Sequence, residues 1–403
     1  MTRGNVTPGK RVDDRHAGPG RTIRIDNGRI DIERGTVFCL IAFYPLARFI
    51  SEPLSLVVLL ALAAALVTLM SSSRAIMRRL PLLLFVVLLF GLPSAGAYVV
   101  GETVAAKYLL FCSLIVIVSF VAAFKNVVPS PKITLYVSLF SGLAAMAFLA
   151  YPEIGNYSAF REVEIGGIEG TYDETRFRGY FVHGNDLGIF ASGLLCLIIM
   201  MGSRQVGLKA GWAVGGAVVS AAVIISESAT AAIIVAVVVL WRFLNERVLT
   251  VLLAAVVSAV AVSQLWYSAA AAEVLESGSF WWRYDLADRV VRQSDLATLS
   301  PAALASEDSW SHSLIVDIVM IFGFFPSVVL FCLVLSTIVW VRPSYTIAVY
   351  TLLLTASVQP AGAMPASFMM LALALFSFAR WKASATAMSI SRLAGRANNR
   401  RAA

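Results

Sequence analysis

The run "LSLVVLLALAAALVTLM" at residues 54–70 decides the fold class. It holds no charged residue, and its length is close to the roughly 20 apolar residues that a helix needs to cross a bilayer. Similar runs recur along the 403-residue chain, which is 59% hydrophobic and only 14% charged, whereas soluble domains carry about 25% charged residues. A β-barrel would show short alternating segments instead. The sequence therefore predicts an all-α polytopic membrane protein.

Twelve membrane spans can be read from the apolar runs. Their approximate bounds are 36–50, 54–70, 81–100, 104–124, 133–151, 185–202, 211–226, 228–241, 248–267, 312–341, 346–359 and 364–379. They predict a transmembrane domain over 36–379, with a hydrophilic basic tail over 1–35 and a basic tail over 380–403. The first tail lacks a signal-peptide pattern. Within it, Thr22–Glu33 alternates apolar and charged residues around Asn27 and Gly28, which predicts a β-hairpin.

Charge sets the predicted orientation. With the N-terminus in the cytoplasm, twelve spans place 24 of the 32 lysines and arginines in cytoplasmic segments, as the positive-inside rule requires. Both termini are then cytoplasmic, and two long loops, 152–184 and 268–311, lie on the opposite face. The net charge of +8 is therefore a topology signal, with anionic membrane lipids as partners of the tails, and we predict no nucleic-acid partner.

Residues suited to chemistry gather on the side of the two long loops, where function is usually found. They are Arg176 and Arg178 before the sixth span, Ser226, Glu227 and Ser228 between the seventh and eighth, Arg283 after the ninth, and His312 and Asp317 at the start of the tenth. Arginine suits a diphosphate because its planar fork donates two parallel bonds, and histidine suits proton transfer near neutral pH. A carboxylate inside an apolar run is costly and often functional. No metal-ligand or nucleotide motif is present, so we predict no metal and no cofactor.

Each candidate also has a purely structural explanation. The arginines can form ion pairs with nearby acidic residues, and His312, Ser226 and Ser228 are suited to helix caps. Glu227 can cap a helix in the same short turn, and Asp317 can pack within the bundle. The residues alone leave these readings open.

Three stretches resemble the O-antigen ligase and polysaccharide polymerase superfamily of bacterial membrane glycosyltransferases. They are "RFRGYFVHGNDLGIFASGLL" (176–195), "SESATAAIIVAVVVL" (226–240) and "SWSHSLIVDIVMIFGFFPSVVLF" (309–331). The first is similar to the family's R-x-x-G-x-x-x-x-x-N motif, which ends here at Asn185. The order of the stretches, their spacing and the large loop before the last one also match, over roughly residues 130–345.

The resemblance implies a GT-C-like membrane glycosyltransferase fold in the bacterial inner membrane, with the active site facing the periplasm. Such enzymes move a glycan from undecaprenyl diphosphate to an acceptor without a metal. Carried over, Arg176 and Arg283 hold the diphosphate and His312 acts at the acceptor hydroxyl. The residues assigned to substrate binding are Arg178, Asn185, Glu227, Ser228 and Asp317. The implied partners are the lipid-linked donor, the acceptor glycan, and chain-length or export proteins.

This chain departs from the family pattern at several positions. Ser313 replaces an asparagine, Gly184 a proline and Ala229 an arginine, and the closing glycine pair is reduced to Gly323 followed by Pro326. The first departure favours a polymerase of exopolysaccharide or O-antigen units over an O-antigen ligase. A flippase or transporter of lipid-linked sugars is the alternative from another class, although no internal repeat of the kind that transporters carry is evident.

Overall fold

The computed structural model describes residues 20–71, 130–151, 153–154, 157–158, 160–161, 176–181, 184–202, 209–243 and 366–381, with single positions between 81 and 122 and at 328. The described chain is mostly helical, as predicted. Among these residues, three helices are long and apolar enough to cross a membrane, and three shorter apolar helices accompany them. These helices indicate a membrane protein.

Seven helices of the described chain carry the labels used below. They are α1 (Gly20–Ile50), α2 (Glu52–Ser71), α3 (Pro131–Ala150), α4 (Gly184–Gly202), α5 (Lys209–Ile225), α6 (Ala229–Phe243) and α7 (Ala366–Trp381). From α2 to α7 they coincide with six predicted spans to within about two residues at each end, the usual uncertainty of a helix boundary. The described positions between 81 and 122 are helical and fall in the third and fourth predicted spans. The predicted spans at 248–267, 312–341 and 346–359 lie outside the described residues.

The predicted hairpin over Thr22–Glu33 is wrong. Helix α1 begins at Gly20 and continues through Asn27 and Gly28 to Ile50. A two-stranded hairpin is marginal by itself, whereas extending an existing helix adds one hydrogen bond per residue without a new nucleus. The apolar span that was expected to begin at residue 36 therefore continues as helix into the polar segment before it.

A single residue joins α1 to α2. The Ser51 amide donates to the Ala47 carbonyl at 3.0 Å, which completes the last turn of α1. The Ser51 hydroxyl accepts a hydrogen bond from the Leu54 amide at 3.3 Å, which caps the start of α2. The two helices pack along each other as a hairpin, and Ser51 hydrogen-bonds to the ends of both.

Helices α1, α3 and α5 run in the same direction. The rings of Phe49 and Phe148, near the last turns of α1 and α3, meet edge to face with centroids 5.2 Å apart. A Cβ on Gly215 of α5 would lie 2.8 Å from Leu135, near the start of α3, and one on Gly142 would lie 2.7 Å from Val218. The glycines thus allow α3 and α5 to approach closely along a parallel path.

Helices α4, α6 and α7 run in the opposite direction. A Cβ on Gly188 would lie 2.7 Å from the hydroxyl of Ser226, at the end of α5. The Ser367 hydroxyl, at the start of α7, donates to the Asp186 carbonyl at 2.8 Å. The rings of Trp241 and Phe378, near the ends of α6 and α7, have centroids 5.1 Å apart. We call the end with the starts of α2, α4, α6 and α7 the Ser226 end, and the opposite one the Trp241 end.

The total of twelve spans stays a prediction, because the segments between α2 and α3 and between α6 and α7 lie largely outside the described residues.

The predicted loop 152–184 contains two short antiparallel ladders at the Ser226 end. Strand β1 (Glu153–Ile154) pairs with β2 (Tyr157–Ser158). Strand β3 (Phe160–Arg161) pairs with β4 (Arg176–Phe177), and its register sets Phe160 opposite Phe177 and Arg161 opposite Arg176. The fold is therefore helical in its spans, with a small β element in this loop.

Candidate functional site

The segment between β4 and α4 makes a tight turn that depends on a glycine. The Phe181 amide donates to the Arg178 carbonyl at 2.9 Å. Gly179 has a φ of +55°, a left-handed conformation that glycine adopts without steric penalty. A Cβ there would also lie 3.4 Å from the Ala145 carbonyl oxygen of α3. Glycine is therefore favoured at this position by its backbone angle, whereas a Cβ would make only an ordinary contact with α3.

Buried aromatic rings fix the same turn to the helices. The rings of Tyr180 and Phe181 stack with centroids 4.7 Å apart, and Phe181 meets Phe190 of α4 at 5.1 Å. Tyr180 also lies 6.1 Å from Phe148 of α3. Such pairs stabilise by about 0.5–1.5 kcal/mol each beyond their area burial. The backbone that carries Arg178 is thus held on a rigid support.

The Tyr180 hydroxyl adds a polar contact to this cluster. It donates to the Ser141 carbonyl of α3 at 3.4 Å. Burial raises the pKa of Tyr180 above its ordinary value, and the neighbouring Ser141 partly offsets the rise. The phenol is therefore neutral at physiological pH and available as a donor, which a buried phenol requires.

The first turn of α4 lies against the turn between α5 and α6. A Cβ on Gly188 would lie 2.5 Å from the Ser228 Cβ and 3.0 Å from the Ala231 Cβ. Asn185, one helical turn before Gly188, is half-buried, whereas Asp186 is only 1% exposed. The absence of a side chain at Gly188 thus brings the start of α4 to the Ser226–Ser228 turn.

The Ser226–Ser228 turn is held by its own hydroxyl groups. The Ser226 hydroxyl donates to the Val223 carbonyl at 2.7 Å, and the Ser228 hydroxyl accepts from the Ala231 amide at 3.3 Å. The second bond caps α6, so the structural explanation of Ser228 is confirmed. Glu227 between them is exposed and has a φ of +49°. An outlier of this kind costs about 1–3 kcal/mol and is more frequent at functional sites.

The structure brings five of the predicted site residues to the Ser226 end. They are Arg176, Arg178, Asn185, Glu227 and Ser228. Arg176 lies in β4, two residues before Arg178, and its backbone pairs with Arg161. The other three predicted residues, His312, Arg283 and Asp317, lie outside the described residues.

Sequence reasoning missed Asp186 and Ser367. Asp186 is a buried acidic residue in the first turn of α4, where the helix dipole favours a negative charge. Its carbonyl accepts the hydrogen bond from Ser367, 181 residues further along the chain. The signal available in the sequence was a carboxylate inside an apolar run, which is costly unless it is enclosed by protein. The partner on α7 had no signal in the sequence.

The arrangement at this end is polar and carries both signs of charge. It combines a half-buried arginine, a half-buried asparagine amide and an exposed carboxylate at the rim of apolar helices. The described part of the chain contains no group of three or more histidine, cysteine, aspartate or glutamate residues that could hold a metal ion. No protein-family model, curated protein or solved structure matches the chain.

Proposed function

We propose that this chain is a membrane glycosyltransferase that polymerises glycan units. It transfers them from undecaprenyl diphosphate to an acceptor glycan at the periplasmic face of the bacterial inner membrane. The observation that carries the proposal is the meeting of two separate motif stretches at the Ser226 end. Asn185 from the first stretch lies one helical turn from Gly188, whose backbone contacts Ser228 of the second stretch.

The chemistry follows from the residue types. The guanidinium groups of Arg176 and Arg283 stabilise the charge that develops on the leaving diphosphate. The acceptor hydroxyl attacks the anomeric carbon, the bond from that carbon to the diphosphate oxygen breaks, and His312 takes the hydroxyl proton. Arg178, Asn185, Glu227, Ser228 and Asp317 bind the substrate, and Arg178 is a second candidate for holding the diphosphate. Direct displacement of this kind inverts the anomeric carbon, as the resemblance implies.

Transfer by the purified protein tests the proposal. The detergent-solubilised chain is supplied with an undecaprenyl-diphosphate-linked glycan, and products are separated by size. We expect chain extension by the wild type, and loss of at least about 100-fold in His312→Ala, the lower range for removing a general base. His16→Ala, a substitution in the N-terminal tail, is the matched control and should keep full activity. Full activity of both His312→Ala and Arg283→Ala at normal protein level would refute the assignment.

The transfer products, a deletion strain and a vesicle experiment separate the polymerase from the alternatives. An O-antigen ligase would transfer a complete glycan to lipid A-core and would not lengthen it. In a deletion strain, loss of long polymer with single units remaining indicates a polymerase, whereas polymer retained on its lipid carrier indicates a ligase. A flippase or transporter would move lipid-linked glycan across vesicles and yield no transfer product.

A further inference from the structure

Arg242, in the last turn of α6, is held in place by an aromatic ring. Its guanidinium carbon lies 4.9 Å from the centroid of the Trp381 ring, at the end of α7, which is within the range of a cation–π contact. Neither helix contains an acidic residue, and Arg242 is exposed. A ring contact uses the face of the guanidinium plane, so the N–H donors at its edge stay available to an anion.

The ring that supports Arg242 is itself anchored in the bundle. The Trp381 ring lies 5.4 Å from the Phe378 ring, and Phe378 meets Trp241 of α6 at 5.1 Å. Trp241 and Phe378 are both fully buried. Since α6 and α7 are joined through this stack of rings, the guanidinium has a fixed place, and a ligand needs to order little when it binds.

Helix α6 also exposes an apolar stripe that ends beside Arg242. We call the exposed residues Ile233, Ala236, Leu240 and Phe243 the α6 stripe; their spacing sets them on one face of the helix. The stripe is about 15 Å long at a rise of about 1.5 Å per residue. That length is half of the roughly 30 Å hydrocarbon core of a bilayer. The α6 stripe therefore matches the acyl layer of one leaflet, with a cation beside its end.

The charge of Arg242 selects among the lipids that can cover the stripe. Any acyl chain satisfies an exposed apolar face, but a phosphate accepts two parallel hydrogen bonds from one guanidinium. A choline headgroup also contains a phosphate, yet its own cation would be repelled by Arg242. A phospholipid with net negative charge therefore fits both the stripe and the arginine.

We propose that α6 and the end of α7 form a binding site for one anionic phospholipid. Its phosphate binds Arg242, and one of its acyl chains lies along the α6 stripe. The site belongs to the leaflet at the Trp241 end and is separate from the basic tails, whose charge attracts anionic lipid without a fixed position. The inference does not depend on the proposed function.

Titration of the purified full chain in detergent tests the headgroup contact. Phosphatidylglycerol and phosphatidylcholine with the same acyl chains are added, and bound lipid is counted by native mass spectrometry. We expect the wild type to bind phosphatidylglycerol at least about tenfold more tightly. Arg242→Gln should remove this preference and keep the phosphatidylcholine affinity, which also shows that the variant is folded. Loss of binding to both lipids, or a preserved preference, would overturn the inference.

Lys132→Gln is the matched control for charge. Lys132 is exposed near the start of α3, at the same end of the helices, and the exposed apolar residues Tyr136 and Phe140 follow it. An ammonium is a strongly hydrated point charge without a planar fork, so its loss should weaken phosphatidylglycerol binding by less than about twofold. For the same reason Arg242→Lys should restore only part of the preference. Equal losses in Lys132→Gln and Arg242→Gln would leave only general charge attraction and overturn the site.

Two further arms test the acyl contact. Phe243 is 82% exposed at the end of the α6 stripe, so Phe243→Ala should weaken binding of both lipids by a similar factor. Inorganic phosphate in excess should not displace phosphatidylglycerol, because it offers nothing to the stripe. Unchanged lipid affinity in Phe243→Ala, or displacement by inorganic phosphate, would show an anion site without a lipid and would contradict the proposal.

Discussion

Helices α2 and α4 are both long enough to cross a membrane, yet they are enclosed to very different degrees. Within an 18-residue window, 39% of α2 is buried inside the protein, against 83% of α4. Helix α2 is the more apolar of the two, so burial here does not follow hydropathy. In a bilayer, lipid can cover an apolar helix, whereas a helix that carries Asn185 and Asp186 has to be covered by protein.

The comparison assigns different tasks to the two kinds of helix. Helices α2 and α3 expose large apolar side chains such as Leu60 and Phe140, which suit contact with acyl chains. Helix α4 presents its polar start to the other helices at the Ser226 end and is the support of the candidate site. Substitutions in α4 should therefore have larger effects than similar ones in α2 or α3.

The largest expected effect is at an enclosed aromatic residue. Phe190 of α4 is 2% exposed, whereas Phe140 of α3 is 59% exposed. We expect Phe190→Ala to lower the free energy of unfolding by about 3–5 kcal/mol through a cavity beside Phe181. Phe140→Ala should change it by less than about 0.5 kcal/mol. Unfolding monitored in detergent measures both, and equal losses would contradict the difference between the helices.

The second largest expected effect is at a close contact between α4 and the turn that joins α5 to α6. Gly188→Ala would set a methyl group 2.5 Å from the Ser228 Cβ, so we expect a loss of about 1–3 kcal/mol and a displaced Ser226–Ser228 turn. Gly216→Ala is the matched control, because its nearest neighbour would lie at 3.8 Å. That variant should gain up to about 1 kcal/mol from helix propensity. Thermal unfolding compares the two, and a stable Gly188→Ala would show that α4 does not need this close approach.

A helix cap gives a smaller effect. Ser228→Ala removes the bond to the Ala231 amide at 3.3 Å, and we expect a loss of about 1 kcal/mol. Ser130 precedes α3 but makes no side-chain capping bond, so Ser130→Ala should have no measurable effect. The melting temperatures of the two variants measure these effects. A similar shift in both would mean that the Ser228 bond does not stabilise α6.

The smallest expected effect is a gain in stability. Glycine adopts positive φ without steric penalty, so Glu227→Gly should raise the free energy of unfolding by about 0.5–1 kcal/mol. If Glu227 binds substrate, glycan transfer should fall in the same variant. Stability and transfer measured side by side separate strain from function, and unchanged transfer would remove Glu227 from the site.

The helices were predictable because apolar length is a local property. The bounds of α4 and α6 follow from the runs at 185–202 and 228–241 and agree with the structure within about two residues. The hairpin expected around Asn27 failed because a local turn signal competed with a neighbouring span that favours helix.

The contacts that build the site could not be predicted in the same way. The approach of Gly188 to Ser228 joins residues from different helices, and no local pattern encodes it. Only the charge bias and the order of the motif stretches predicted that the start of α4 and the Ser226–Ser228 turn lie at the same end of the helices. The contact at Gly188 confirms that they do. The hydrogen bond from Ser367 to Asp186 depends on the place of α7 beside α4, which is a property of the assembled bundle.

The bond between Ser367 and Asp186 also has a consequence for biosynthesis. The two residues are 181 positions apart, and a ribosome that adds about 5–20 residues per second needs roughly 10–40 s to synthesise that length. During this interval α4 is present without α7, so the Asp186 carbonyl lacks the hydrogen bond from Ser367. The insertion machinery, or the helices already present, must shield α4 until α7 arrives. Release of a chain that stops before residue 366 would expose that surface to membrane quality control.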